Sequence, residues 1–593
     1  MKTSSLILIS GLLLLSACNN KEQNNPAITT TELRDHVTFL ASDELKGRYP
    51  GTPGSKEAAD YIRDQFTEGG LDLKVLSGFQ PFDVTTGQKA EDSNLLQCDG
   101  FTGELGEDFT PMPFSGNDEV KDSVVFVGYG LKADTRGFTW NDYQKENVEG
   151  RWVMIIRGAP EDQGIKKHFM GRTKDREKAS TAMEEGAAGI LFVSGRDSDS
   201  GDDLVNPRVK SGNLSLPVFH ITRTTANRML AGQTIEELEE RINETRRPVT
   251  FPLKVEVHGK SGLNPVQVTA RNVVGGIRAG HPNPAGGYIV IGAHYDHLGM
   301  GGDATGSRSP DTTAVHNGAD DNASGVAAML EIAEKLASKS DSLKQHILFV
   351  GFDAEELGLI GSRSFVRQCP VPVDSIHAMI NLDMIGRLPD ENNLRIGGTG
   401  TAVESEQILR ELNEPQRFSL GMMPEGYGPS DHSSFYSQDI PVFFFSTGPH
   451  LDYHTPEDDA EDLNYPGLKK VADFACDLAW DLANRDDALA FQKAGPKSGE
   501  EQRKHRADLK ATLGIMPDFS GIEKRGLRAE LVIEGKPADR AGMENGDVIT
   551  AINGQRIKDI YDYMNRLSDF EPGDNITVEV IRDETKKVML VKL

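Results

Sequence analysis

The chain predicts an α/β fold, a layered sandwich with a mostly parallel central sheet, joined to a second α/β segment and a β-rich C-terminal module. Three observations carry this. Residues 266–485 alternate apolar runs of buried-strand length (VQVTARNVVGGI, YIVIGAHYD, HILFVGFDA, AMINLDMIG and PVFFFST) with helical segments such as 325–337 and 361–368. Metal-preferring side chains recur at the ends of those runs: His294 and Asp296 in GAHYDHLG, Glu355 and Glu356 in FDAEELG, Asp383 in NLDMIG. Ligands of open α/β sheets gather beyond the carboxyl ends of strands, so these residues point to one shared site. Finally, at 593 residues the chain is too long for a single core.

From the N-terminus, residues 1–18 (MKTSSLILISGLLLLSAC) hold one Lys, an apolar run from Leu6 to Leu15 and then small residues. That run is short for a membrane span and fits a signal h-region. Leu15-Ser16-Ala17-Cys18 resembles a bacterial lipoprotein cleavage box, which implies lipidation of Cys18 and a cell-envelope location anchored to the membrane. Residues 19–29 read as a polar tether. In 30–109, Leu33, Val37 and Leu40 share one helix face, and Ser55 opens a second helix with Ala58, Ala59, Ile62 and Phe66 on its apolar side. Residues 110–255 form a separate small α/β segment with strands near 124–130, 152–158, 189–195 and 216–222 and a helix near 178–185. Residues 256–485 are the metal-bearing region, and 486–505 lose periodicity and read as a linker. Residues 506–593 are a compact module with one helix near 557–567. Of the later cysteines, Cys98, Cys369 and Cys476, either Cys369 and Cys476 pair or all three stay buried thiols.

Ninety-one acidic against 64 basic residues give a net charge of −27. Nucleic-acid binding needs clustered Lys and Arg, so that partner class is excluded, and the acidity serves solubility.

Asp321 in GADDNASG and His454 in YHTPED complete the candidate set. Two imidazoles with several carboxylates suit a pair of divalent metals, zinc above others, and a spare carboxylate beside them is a general base for water. This points to hydrolysis. Adjacent side chains diverge, so one of Glu355 and Glu356 binds metal while the other faces the water. Asp321 offers two oxygens to bridge metals about 3.5–4 Å apart; Asp320 or Asp321 as a helix cap is the structural alternative. Asp296, two residues on from His294 along an extended strand, is placed to accept the spare imidazole N–H. His297 and His316 read as loop-packing or substrate-side residues.

HxD, GADDNASG, AEELGLIGS, NLDMIG, SDHSSF and HTPED, in this order, together with SDELKGRYPGTPGSKEAADYI, resemble the M28 zinc aminopeptidases. The resemblance implies a phosphorylase/hydrolase-like zinc peptidase sandwich and two zinc ions. His294 and Asp383 would hold one, Glu356 and His454 the other, with Asp321 bridging. It also implies Glu355 as general base and Tyr453, ahead of Tyr427, as a donor to the oxyanion; packing in the pocket wall is the alternative for either tyrosine. The 110–255 segment resembles a protease-associated domain. The last module resembles a PDZ domain, with Leu513, Gly514 and Ile515 as the loop that receives a peptide carboxylate. Peptides are the implied substrates, shortened by aminopeptidase removal of their N-terminal residues. A carboxypeptidase or dipeptidase of the same family, a glutaminyl cyclase-like acyltransferase and a non-catalytic peptide-binding protein are the alternatives. A carboxypeptidase or dipeptidase would need a basic side chain for a substrate carboxylate, and nothing in the sequence assigns that part to Arg363 or Arg387, the two candidates.

Overall fold

The computed structural model describes residues 27–74, 76–135, 138–160, 165, 167–169, 172–196, 199, 201–207, 213–302, 305–309, 312–498, 511–517, 523, 525–533, 535–558 and 560–593. The expected leader with Cys18, residues 19–26 of the tether and 499–505 of the linker lie outside the described residues.

An eight-stranded sheet organises the metal-bearing region, in the order Phe79–Ala90, Leu263–Ile277, His346–Phe352, Tyr288–His294, Ile376–Leu382, Val442–Ser446, Asn393–Gly397 and Ser419–Met422. The four strands from His346–Phe352 to Val442–Ser446 run parallel, while the flanking strands Leu263–Ile277 and Asn393–Gly397 pair antiparallel to them. Alternation along these strands feeds two cores. Ile289, Ile291, Ile347 and Phe349 face the helices Thr30–Leu40, Pro53–Glu68, Gly325–Ala337 and Tyr465–Ala483. Val290, Leu348, Val350 and Phe352 face Ile360–Arg367 and His432–Tyr436. Both faces are covered, as near-continuous apolar strands require.

Ile28, in the expected tether, is 2% exposed because its side chain completes the first core, and Thr29 caps the first helix by accepting the Glu32 N–H. The second helix begins at Pro53 rather than Ser55: Thr52 is its cap and Pro53 supplies a pre-set φ at the first turn. Cys98, Cys369 and Cys476 are free thiols. Cys369 packs with the core on one face of the central sheet and Cys476 with the core on the other, so the sheet separates them and the expected pairing does not form.

A second eight-stranded sheet draws on strands from Leu95–Cys98 to Phe251–Lys260. At its centre Glu119–Phe126, Trp152–Ile156, Gly189–Val193 and Val218–Ile221 run parallel. In the expected linker, Leu489 is buried and the Phe491 ring packs on the second core, while Val403 and Gln492 hydrogen-bond across to Ala490 and Thr401. Two apolar side chains are enough to fold that stretch back. The C-terminal module is an antiparallel sheet of Ile515–Pro517, Leu527–Val532, Val548–Ile552, Asn575–Arg582 and Thr585–Lys592 with the helix Ile560–Leu567. Among the described residues no helix is long and apolar enough to cross a membrane.

Ser194, His220 and Asp199 in the second sheet have the composition of a nucleophile triad but not its protonation. His220 Nδ1 accepts the Val205 N–H at 3.1 Å, so the ring proton sits on Nε2, 3.0 Å from Ser194 Oγ, which in turn donates to Asp199 at 3.0 Å. The imidazole cannot take the serine proton and is structural. Burial, aided by the charge of Arg157, pushes its pKa down to about 4 from 6.5. The unfolded chain therefore binds a proton that the fold refuses, and His220 costs stability as pH falls through that window. Thermal melts between pH 7 and pH 5 should show a steeper loss for the native chain than for His220→Gln; equal slopes would refute this.

Candidate metal centre

His294 is the last residue of its strand, Glu355 and Glu356 lie three and four residues beyond the end of the next, Asp383 follows the third, and His454 lies on the loop after Val442–Ser446, so parallel neighbours deliver their side chains to one edge. Asp321 arrives from the turn ahead of the helix Gly325–Ala337. That turn requires Gly318: at φ +55 a Cβ there would lie 2.1 Å from the Asp321 carbonyl and 2.5 Å from the His297 ring. Ala354 and Met384, beside Glu355 and Asp383, and His454 itself are left-handed without being glycine. Such residues cost about 1–3 kcal/mol each and persist where the surroundings over-determine them.

The side chains meet in two sets that share Asp321. His294 Nε2 is 3.2 Å from Asp321 Oδ1 and 3.4 Å from Asp383 Oδ1; His454 Nε2 is 3.2 Å from Asp321 Oδ2 and 3.2 Å from Glu356 Oε2. Each ring is oriented from behind by a backbone carbonyl on Nδ1, Asp296 at 3.2 Å for His294 and Gly306 at 3.0 Å for His454. With Nδ1 donating, Nε2 of a neutral ring presents its lone pair to the carboxylates, which is the arrangement a metal ligand needs. Asp383 Oδ1 is buried without a hydrogen-bond partner among the described residues. The donor types, and this orphaned oxygen in the set with His294, fit metal-ion binding.

The electrostatics point the same way. Burial opposes a charged His294, yet the Asp383 and Glu355 carboxylates hold its pKa well above the ordinary imidazole value. His454 is pushed up to about 10 against burial by hydrogen bonds to Asp321 and Glu356. This pocket favours positive charge. The two adjacent glutamates are driven apart. Glu356, despite burial and the nearby Asp321, falls to about 2 through hydrogen bonds from His297 and His454. Burial and the charges of Glu356, Asp431 and Asp383 raise Glu355 well above the usual carboxylate value. Neighbouring carboxyls with opposite shifts are suited to opposite roles.

Asp296 differs from its expected part. Its carboxylate is 3.7 Å from His294 Nδ1, and it accepts the backbone N–H groups of Glu355 at 2.9 Å and Glu356 at 3.3 Å. Its carbonyl orients the imidazole, while its side chain fixes the two glutamates. His297 lies closer to the site than expected: its Nδ1 is 2.8 Å from Glu356 Oε1, and with Asp321 and Glu356 it forms a set able to hold a metal ion. His316 bonds Ser307 and the Ala314 carbonyl within its own loop. Asp320 does not cap the helix; it accepts the Gly386 N–H and the Ser324 hydroxyl. The Tyr453 ring stacks on His454 at 3.9 Å between centroids, and burial with the surrounding carboxylates holds its hydroxyl protonated. Tyr427 is half-buried and packs against the second core. Arg363 is engaged by the Gly358 and Leu359 carbonyls and Arg387 by Asp452 and Asp458. In the C-terminal module the Gly514 N–H is taken by Thr512 Oγ1 at 3.0 Å, with Leu513 and Ile515 buried on either side.

Two residues here escaped the sequence reading. Arg48, 1% exposed, donates to the carbonyls of Leu40, Tyr295, Asn317 and Gly318, tying the N-terminal segment to the His294 strand and the Asp321 turn. Asp431, fully buried beside the site, is raised to about 7 by burial. The only available signals were an Arg inside a turn-forming GRYPG and an Asp in SDHSSF.

Residues 272–479 match the model of Peptidase family M28, and residues 513–593 match that of the PDZ domain. The chain is similar to an aminopeptidase of Pseudomonas aeruginosa, 27% identical over 424 residues that cover 69% of this chain and 68% of that protein. Aminopeptidase YwaD of Bacillus subtilis is 24% identical over 79% of this chain and 86% of its own length. The probable lipoprotein aminopeptidase LpqL of Mycobacterium tuberculosis is 24% identical over 60% of this chain and 59% of its own. These matches give the chain a Peptidase family M28 domain over residues 272–479 and a PDZ domain over residues 513–593.

Proposed function

We propose that the chain is a zinc-dependent aminopeptidase that removes N-terminal residues from peptides. The observation that carries this is Asp321, with one oxygen on His294 and the other on His454, shared by two sets of donors. His294 and Asp383 would hold one zinc, Glu356 and His454 the other, and Asp321 both. Metal ions so held supply Lewis acidity, polarising a carbonyl and acidifying water. Glu355, raised by burial and unclaimed by the donor sets, takes the proton from the attacking water and passes it to the leaving amine. Asp296 holds Glu355 in place through its backbone amide. Tyr453, kept protonated, donates to the developing oxyanion.

The names of the similar aminopeptidases support removal of N-terminal residues over the other peptidase specificities. The PDZ domain is read as a peptide-binding module. Because the Gly514 amide is already bonded, a free carboxylate must displace Thr512 to use it. The sheet built from residues 95–260 is read as a protease-associated insert. Cys18 is read as the lipid-anchored residue in the bacterial envelope, and the lipoprotein relative supports this.

Metal analysis should find two zinc ions per chain, and a substrate panel should show cleavage of free-amine peptides and amino-acid amides but not of N-blocked ones. Turnover of blocked or carboxyl-end substrates, or cyclisation of N-terminal glutamine, would overturn the assignment. Glu355→Gln should keep its metal content and lose about 10²–10⁴-fold in kcat; an active variant refutes the base. Asp321→Ala should lose metal from both sets, and full zinc content in that variant would rule out the bridging role.

A further inference from the structure

One layer outside the ligands, a chain of contacts joins three of the segments that carry them. Arg387 stands four residues beyond Asp383, on the same segment. Its Nη1 donates to Asp452 Oδ2 at 2.6 Å, on the loop of Tyr453 and His454. Its Nη2 donates to Asp458 Oδ1 at 3.1 Å. The other oxygen of Asp458 accepts the N–H groups of Asp320 at 2.9 Å and Asp321 at 3.0 Å, and the Asp458 carbonyl accepts the Ala319 N–H at 2.9 Å. Three successive amides of the Asp321 turn thus end on one residue, which is itself fully buried. Two successive amides, of Asp320 and Asp321, converge on the Asp458 carboxylate as in a nest, and one guanidinium nitrogen of Arg387 holds that anion from behind while the other holds Asp452.

We propose that Arg387 and Asp458 are a positioning pair that sets the Asp321 turn and the His454 loop in register with Asp383. The inference rests on the metal-centre reading above. The hydrogen bonds of both residues run to Asp452, to one another and to the backbone of the Asp321 turn rather than to a ligand side chain. Arg387 is not free to anchor a substrate carboxylate, since both terminal nitrogens are committed. The geometry separates two effects. Losing Arg387 releases the His454 loop and leaves Asp458 a buried carboxylate with His450 Nε2, 4.0 Å away, as a remaining basic neighbour. Losing the Asp458 carboxylate frees the amides of the Asp321 turn. Both act through the same link, so their effects on metal affinity overlap rather than add.

The test uses the full chain, its Arg387→Gln, Arg387→Lys and Asp458→Asn variants, and the Gln/Asn double variant. Each is stripped of metal and titrated with Zn²⁺ against a chromophoric chelator, and the melting temperature of the stripped protein is recorded in parallel. Each of the Gln and Asn variants should bind zinc about 10–100-fold more weakly. The double variant should be no weaker than the worse single beyond about twofold, and Lys, with one ammonium for two carboxylates, should restore only part of the loss. Wild-type affinity in the Gln and Asn variants, or a fully additive double variant, overturns the pair. If Arg387→Gln does not fold, Asp458→Asn decides alone: weaker zinc binding supports the pair, wild-type affinity overturns it. A native chain that binds no zinc overturns the metal-centre reading and this inference with it, whereas a zinc-binding native chain with unaffected variants overturns the pair only.

Discussion

Asp296, Asp321, Glu355, Glu356 and Asp383 are crowded at one sheet edge out of water, and the rest of the structure is arranged around that repulsion. Like charges at such distances in a low dielectric cannot all stay ionised without positive charge among them. The fold answers with imidazoles, with backbone amides on Asp296, with Arg48 behind the His294 strand and with a pocket suited to cations. Burial and the neighbouring carboxylates make Glu355 hold its proton more readily than an ordinary carboxyl, which suits a group that must accept one and return it.

The same pressure explains where the backbone is strained. Ala354, Met384 and His454 adopt left-handed conformations at the points where a strand or loop must turn a side chain into the pocket. Gly318 makes the corresponding bend at the Asp321 turn, where any Cβ would strike the Asp321 carbonyl. Rigid parallel strands provide the platform, and short strained turns provide the aim.

Much of this was legible along the chain. Strand–helix alternation marks the central sheet, and His294, Glu355, Glu356 and Asp383 stand out because they end apolar runs. The stretches around Ile28 and around Leu489–Phe491 were not legible, since one or two large apolar residues in a polar stretch carry no periodicity, and their burial depends on a surface formed elsewhere. Cys369 and Cys476 look like possible partners along the chain but sit on opposite faces of a sheet. His297 is one more histidine in a motif until the fold sets its ring against Glu356.

The residue types and their order determined the α/β class, the family motifs and the hydrolytic chemistry, because periodicity and donor type are properties of local sequence. Only the tertiary structure decided that Asp321 stands between the two imidazoles and that Asp296 serves the glutamates as well as His294. The same holds for Arg48 and Arg387, which brace the site from segments far apart in the chain. Those are relations between backbone groups distant in sequence, set by strand register and turn geometry, and no single stretch of the chain encodes them.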